Sequence, residues 1–114
     1  MITVGNYKIN FKHYHIYDTR LNFSISDEDM HSLMDRVSHS LGRSLNFDEI
    51  DVITECKITF KDEVVSFGYA FSHMSDQFSR STGRKISLTR AIRTFNKEIR
   101  SKFWEEYFYC CKVK

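Results

Sequence analysis

The chain has 114 residues, of which 41% are hydrophobic and 15% aromatic, and it carries a net charge of +2. This length and composition exclude a disordered polymer and predict one folded domain over residues 1–114. No apolar run approaches the roughly 18 residues that span a bilayer, and the first residues lack the pattern of a signal peptide. We therefore expect a cytoplasmic protein that makes no membrane contact and keeps its three cysteines reduced.

The first third of the chain predicts strands. Polar and apolar residues alternate over two stretches, which is the period of a strand with one solvated face. The apolar members are Tyr7, Ile9 and Phe11 in the first stretch and Leu21, Phe23 and Ile25 in the second. A short strand at residues 2–4 leads into the first stretch through a turn at Gly5 and Asn6.

A helical period begins behind Ser26, a suitable N-cap, and three acidic residues follow it that favour the start of a helix. The apolar residues at helical spacing are Met30, Leu33, Met34, Val37 and Leu41. Gly42 predicts the end of this helix. Residues 43–54 fit neither the strand period nor the helix period, so we expect a loop there that contains at most a short helix.

The second half of the chain predicts a hairpin, a long loop and a second helix. Apolar residues alternate on both sides of a polar turn at residues 61–63. They are Cys56, Ile58 and Phe60 before the turn and Val65, Phe67, Tyr69 and Phe71 after it. Residues 72–86 are polar and predict a loop, and Ser87 is the expected cap of one helix that reaches at least Tyr107. This order predicts an α+β fold, a small antiparallel sheet with two helices packed on one face.

Charge is segregated along the sequence. Residues 18–63 have a net charge of −6, whereas residues 80–102 have a net charge of +7. In the predicted last helix, four bases fall within a band of roughly 80°, and Trp104 projects along the same line. A row of cations with an aromatic residue at its end suits phosphates and exposed bases. The candidate binding residues are Arg80, Arg84, Lys85, Arg90, Arg93, Lys97, Arg100 and Trp104.

Two other interpretations of these cations stay open from the sequence. In one, the acidic segment faces the basic segment across the fold and neutralises it. In the other, the bases form an ordinary solvated helix face, and Trp104 packs in the core. The turn at Gly83 adds a further expectation, because backbone amides that lead into a helix N-terminus suit an anion.

Residues 68–91 contain the pattern G-x-A-x5-D-x-F-x4-G-R-K-x2-L-x-R-A. The residues that match it are Gly68, Ala70, Asp76, Phe78, Gly83, Arg84, Lys85, Leu88, Arg90 and Ala91. This pattern resembles a box in small uncharacterised bacteriophage-encoded proteins. The resemblance implies a phage accessory or early protein in the host-cell cytoplasm, and it implies no chemistry. The box itself is interpreted as a strand end, a loop held by Phe78 and a helix start at which Asp76 pairs with Arg84 or Lys85, and a purely structural role is favoured.

Patterns for catalysis or metal binding are weak. His13 and His15 share one face of a strand, but no spacing in the sequence brings further ligands to them. His73 and Asp76 suit a base and its orienting group, with a cysteine as nucleophile, yet the same pair serves as a loop hydrogen bond. A glycine-rich phosphate loop is missing from the sequence. We therefore expect a non-enzymatic protein with no metal and no cofactor.

The sequence thus predicts a phage-type accessory protein that contacts nucleic acid or a nucleoprotein through its basic C-terminal helix. The alternative is a protein inhibitor of a host or defence enzyme, of the anti-CRISPR type, that acts by protein–protein contact. Residues 103–109 are apolar on nearly all sides, which indicates either core packing or a contact between copies in a homo-oligomer.

Overall fold

The computed structural model describes residues 2–18, 23–24, 27–42, 50–73 and 79–113. Four strands form an antiparallel sheet in the order β1-β2-β5-β6: β1 (Ile2–Val4), β2 (Tyr7–His15), β5 (Ile50–Phe60) and β6 (Glu63–His73). A separate pair joins β3 (Tyr17–Asp18) to β4 (Phe23–Ser24). The helices are α1 (Asp27–Leu41), α2 (Arg80–Ile92) and α3 (Lys97–Val113). The α+β class and the antiparallel sheet are confirmed.

The predicted hairpin is confirmed as β5 and β6, with a tighter turn than expected. Phe60 pairs with Glu63, so Lys61 and Asp62 alone make the turn, both with positive φ. This conformation matches the twist of the flanking strands, which favours two-residue loops. Glu63 therefore begins β6 and does not belong to the turn. Residues 50–54 extend β5, and residues 43–49 lie outside the described part of the chain.

The turn between β1 and β2 and the end of α1 agree with the sequence prediction. Gly5, at φ +59°, turns β1 into β2 as predicted. Gly42 ends α1 at φ +70°, and its N–H donates to the Ser38 carbonyl oxygen at 2.8 Å. The expected cap Ser26 and the apolar residues Leu21 and Ile25 lie outside the described residues.

Helices cover both faces of the sheet. Alternate residues of β5 point in opposite directions, so Cys56 packs with α2 and α3 while Ile53 packs with α1. This arrangement differs from the expected one, which placed both helices on one face. The reason is that residues 52–56 are buried without interruption, and a strand that is buried on both sides needs cover on both sides.

A polar network holds α1 against the sheet. Arg36 Nε donates to the carboxylate of Glu55 at 2.9 Å, and the Tyr69 hydroxyl donates to the same oxygen at 2.9 Å. A further donor of Arg36 reaches the Tyr14 hydroxyl at 3.1 Å. Burial raises the pKa of Tyr69, and the charge of Glu55 raises it further. Because the Glu55 side chain is only 8% exposed, this ion pair is a structural link between helix and sheet.

The two glycines of the G-x-A box lie at the contact between α2 and the hairpin. A Cβ atom at Gly68 would lie within 3 Å of backbone atoms of Ser87 and Ala91. A Cβ atom at Gly83 would lie 2.6 Å from Thr54 Oγ1. Both glycines are therefore needed for the close approach of the helix to the strands. Asp76 and Phe78, also in the box, lie outside the described residues.

Candidate nucleic-acid interface

The predicted C-terminal helix is two helices in the structure. After Ile92 the chain turns at residues 93–96, and the Phe95 N–H donates to the Ile92 carbonyl oxygen at 3.0 Å. Asn96 caps α3, because its Oδ1 accepts from the Ile99 N–H at 2.9 Å. The single helical row of Arg90, Arg93, Lys97 and Arg100 was therefore wrong.

Helix α2 also begins earlier than expected. Ser79 is its N-cap and accepts from the Thr82 N–H at 3.3 Å, whereas the predicted cap, Ser87, is buried inside the helix. The predicted loop over residues 72–86 was consequently wrong at both ends, because β6 runs to His73 and α2 starts at Arg80. The N–H of Gly83 donates to the Ser79 carbonyl oxygen at 3.0 Å, so this glycine belongs to the helix and does not form an anion-binding turn.

One group of predicted residues stays together on the outer side of α3. Lys97, Arg100 and Trp104 follow one another at spacings of three and four, which places them on one side of the helix. Trp104 stacks against Phe108, with ring centroids 5.7 Å apart and an interplanar angle of 25°. The Lys85 ammonium of α2 lies 6.0 Å from the centre of the Phe108 ring. We call Lys85, Lys97, Arg100, Trp104 and Phe108 the α3 surface.

A second group lies at the start of α2, beside the end of β2. Burial lowers the pKa of His13, and the positive charges of Arg80, Arg84 and His15 lower it further. The Nδ1 atom of His13 is 2.8 Å from Thr54 Oγ1, which holds the ring against β5. These cations raise the local positive potential at one end of the two-helix layer.

The third group, Arg90 and Arg93, lines a groove along β6. Arg90 Nη1 donates to the Tyr69 carbonyl oxygen at 2.7 Å, so this guanidinium is fixed to the backbone of a strand. Phe67, Phe71 and His73 line the same groove. Arg90 therefore has a structural partner, and the structure separates it from the α3 surface.

The acidic half of the chain does not neutralise the predicted cations within the described residues. There, the salt bridges join Lys8 to Asp62 and Arg36 to Glu55, and neither includes a candidate binding residue. Lys85, Lys97 and Arg100 are solvent-exposed. Over the part of the chain that is described, these three residues are therefore accessible to a ligand.

Exposed aromatic side chains continue the α3 surface toward the end of α3. Phe108 is 45% exposed and Tyr109 is 66% exposed, whereas Trp104 is half-buried with its ring edge-on to Tyr107. A shallow groove is lined by Ser101, Trp104, Glu105, Phe108 and Tyr109. The sequence prediction included Trp104 but missed Glu105 and Tyr109, although they follow Trp104 by one and five residues on the same predicted helix.

The residues considered for catalysis are not brought together. Cys56 is buried beneath α2 and α3, and this burial raises the pKa of its thiol. His73 lines the groove on the other face of the sheet, and Asp76 lies outside the described residues. Across the described ranges, no group of three histidine, cysteine or acidic side chains is placed to hold a metal ion.

The α3 surface thus belongs to an antiparallel α+β fold in which Lys85 of α2 meets an exposed aromatic ring of α3. Comparisons with protein families, with curated proteins and with solved structures found no match. In the described part of the chain, none of the helices has the length and apolar character needed to cross a membrane.

Proposed function

We propose that this protein binds nucleic acid through the α3 surface. The observation that carries the proposal is the contact of Lys85 with Phe108, which itself stacks on Trp104 beside Arg100. Phosphate binding by lysine and arginine releases counterions, and a neighbouring exposed aromatic ring adds a face for a base. The phage origin implied by the G-x-A box stays a prediction.

The exposed cations make the proposed affinity dependent on salt. Three phosphate contacts, from Lys85, Lys97 and Arg100, predict a slope of log Kobs against log salt of about −2 for single strands and about −3 for duplex DNA. Arg80 and Arg84 lie at the start of α2 and extend the positive field beyond this surface.

The test is a pair of matched charge reversals on α3. Arg100 and Lys102 are both exposed and lie on the same helix, but Lys102 is two residues before Trp104 and projects about 200° away from it. Fluorescence anisotropy with labelled 20-nucleotide DNA and RNA, each as single strand and duplex, measures affinity over a salt series. We expect Arg100→Glu to weaken binding at least tenfold and to reduce the salt slope by about 1.

The control variant distinguishes binding at the α3 surface from a general effect of net charge. Lys102→Glu changes the net charge equally, and we expect it to leave the affinity within about twofold, with circular dichroism showing both variants folded. Equal losses in the two variants would mean that only net charge matters and would contradict the assigned surface. Failure of every oligonucleotide to bind at low salt would refute the proposed function.

A further inference from the structure

The groove at the end of the α3 surface combines exposed aromatic rings with a carboxylate. We infer that the nucleic acid bound here is single-stranded, with unpaired bases stacked on Phe108 and Trp104; this inference rests on the proposed function. A duplex covers the faces of its bases by internal stacking, whereas a single strand offers them to aromatic side chains.

The exposure of the rings supports stacking from solvent. Phe108 and Tyr109 expose about half or more of their surface, although both are large apolar side chains at the end of a helix. Trp104 packs against the core and also lines the groove. A ring held by its neighbours loses little conformational entropy when a base stacks on it, which favours binding.

The charged side chains at the groove orient the nucleic-acid strand. Glu105 lines the groove and carries only hydrogen-bond acceptors when ionised, so it repels phosphate and accepts from base amino groups. Lys85 adjoins Phe108 on α2, and Arg100 lies one helical turn before Trp104 on α3. The phosphates are therefore placed toward Lys85 and Arg100, and the base edges toward Glu105.

The length of the α3 surface suits an extended single strand of nucleic acid. Lys97 and Phe108 are eleven residues apart on α3, which corresponds to about 16 Å along the helix axis. The cations that α3 itself carries, Lys97 and Arg100, occupy the first part of this length, and the aromatic rings occupy the last part, where Lys85 of α2 adjoins Phe108. A single strand of nucleic acid that runs along α3 would place its phosphates at the cations of α3 and then a base at the aromatic rings.

The sole tryptophan of the chain provides a direct readout. Trp104 emission is recorded while unlabelled 15-nucleotide DNA and RNA of one mixed sequence are added, each as single strand and as duplex. We expect quenching by the single strands and an affinity at least tenfold above that for the duplex. The DNA and RNA arms identify the sugar that is preferred. Phe108→Ala is expected to weaken single-strand binding about tenfold, whereas the matched Phe108→Tyr retains it.

The outcomes separate this inference from the proposed function. Equal or tighter duplex binding that still depends on Arg100 would overturn single-strand stacking and leave nucleic-acid binding in place. Single-strand binding that is unchanged by Phe108→Ala would also overturn stacking. Both proposals fail if none of the DNA or RNA oligonucleotides binds and the protein instead forms a stoichiometric complex with another protein that Phe108→Ala abolishes.

Discussion

Adding one methyl group at Gly68 tests how closely α2 packs on the hairpin. The new Cβ would lie within 3 Å of three atoms, the Ser87 carbonyl oxygen and the N and Cα atoms of Ala91. All three belong to the backbone, so no side-chain rotation relieves the overlap. To restore van der Waals separation in Gly68→Ala, α2 has to retreat by about 1 Å.

The cost follows from that displacement. Overpacking in a core costs about 1–3 kcal/mol, and the upper end applies because the shift also loosens Leu88 and Ile92 from the core. Replacing glycine by alanine within a strand returns about 0.5–1 kcal/mol of backbone entropy. The net loss is about 2 kcal/mol, which lowers the melting temperature of a domain of this size by about 8 °C.

Gly83→Ala is the matched control, because its Cβ meets the side-chain oxygen of Thr54 at 2.6 Å and not backbone. In a Thr54→Ala background the overlap with Oγ1 disappears and a tight 3.3 Å contact with the Cβ of residue 54 remains, so we expect helix propensity to offset the cost and Gly83→Ala to change the stability there by less than about 1 kcal/mol. Urea unfolding followed by circular dichroism compares the wild type with Gly68→Ala, Gly83→Ala, Thr54→Ala and the Thr54→Ala/Gly83→Ala double variant. An unchanged midpoint for Gly68→Ala would refute the close packing of α2.

Three further predictions concern ionisable groups. Arg36→Met leaves the Glu55 carboxylate buried without its cation and should cost about 3 kcal/mol in urea unfolding; full stability would contradict the link between α1 and the sheet. Arg80→Gln should raise the pKa of His13 in an NMR titration, since the Arg80 charge contributes to lowering it. Because the fold lowers this pKa, protonation favours the unfolded chain, and we expect stability to fall as the pH drops through 6.5, an effect that His13→Gln should remove. Burial raises the pKa of the Cys56 thiol, so a thiol reagent at pH 8 should modify it only after unfolding, as peptide mass spectrometry would show.

The strands could be predicted where only one face is buried. Alternation located β2 and most of the hairpin, because polar and apolar positions differ there. It failed at residues 50–54, since Val52 and Ile53 are buried on opposite faces and the period of two disappears. The same continuous burial is why the cover of the second face by α1 was not predicted.

The break between α2 and α3 was hidden by Phe95. This residue lies in the turn, yet it stacks on Phe103 at 5.6 Å and packs beside Tyr7, as a residue of a continuous helical stripe would. Hydrophobic spacing therefore runs through the break, and Asn96 was its one local signal. The concentration of cations could be predicted from the distribution of charge along the sequence. Their separation into three groups depends on tertiary contacts such as that between Lys85 and Phe108, which the sequence does not encode locally.

The bond from Arg90 to the Tyr69 carbonyl oxygen has a consequence for self-assembly. Strand β6 lies at the edge of the sheet, and Val64 and Val65 near its start are each 48% exposed. Such edges invite strand addition by other molecules, which begins on unpaired backbone groups. Arg90 Nη1 donates to the Tyr69 carbonyl oxygen near the middle of β6, so its guanidinium lies against the backbone of this edge strand. A positive charge that the sequence prediction assigned to ligand binding thus lies against an edge strand, where charged side chains commonly discourage strand addition.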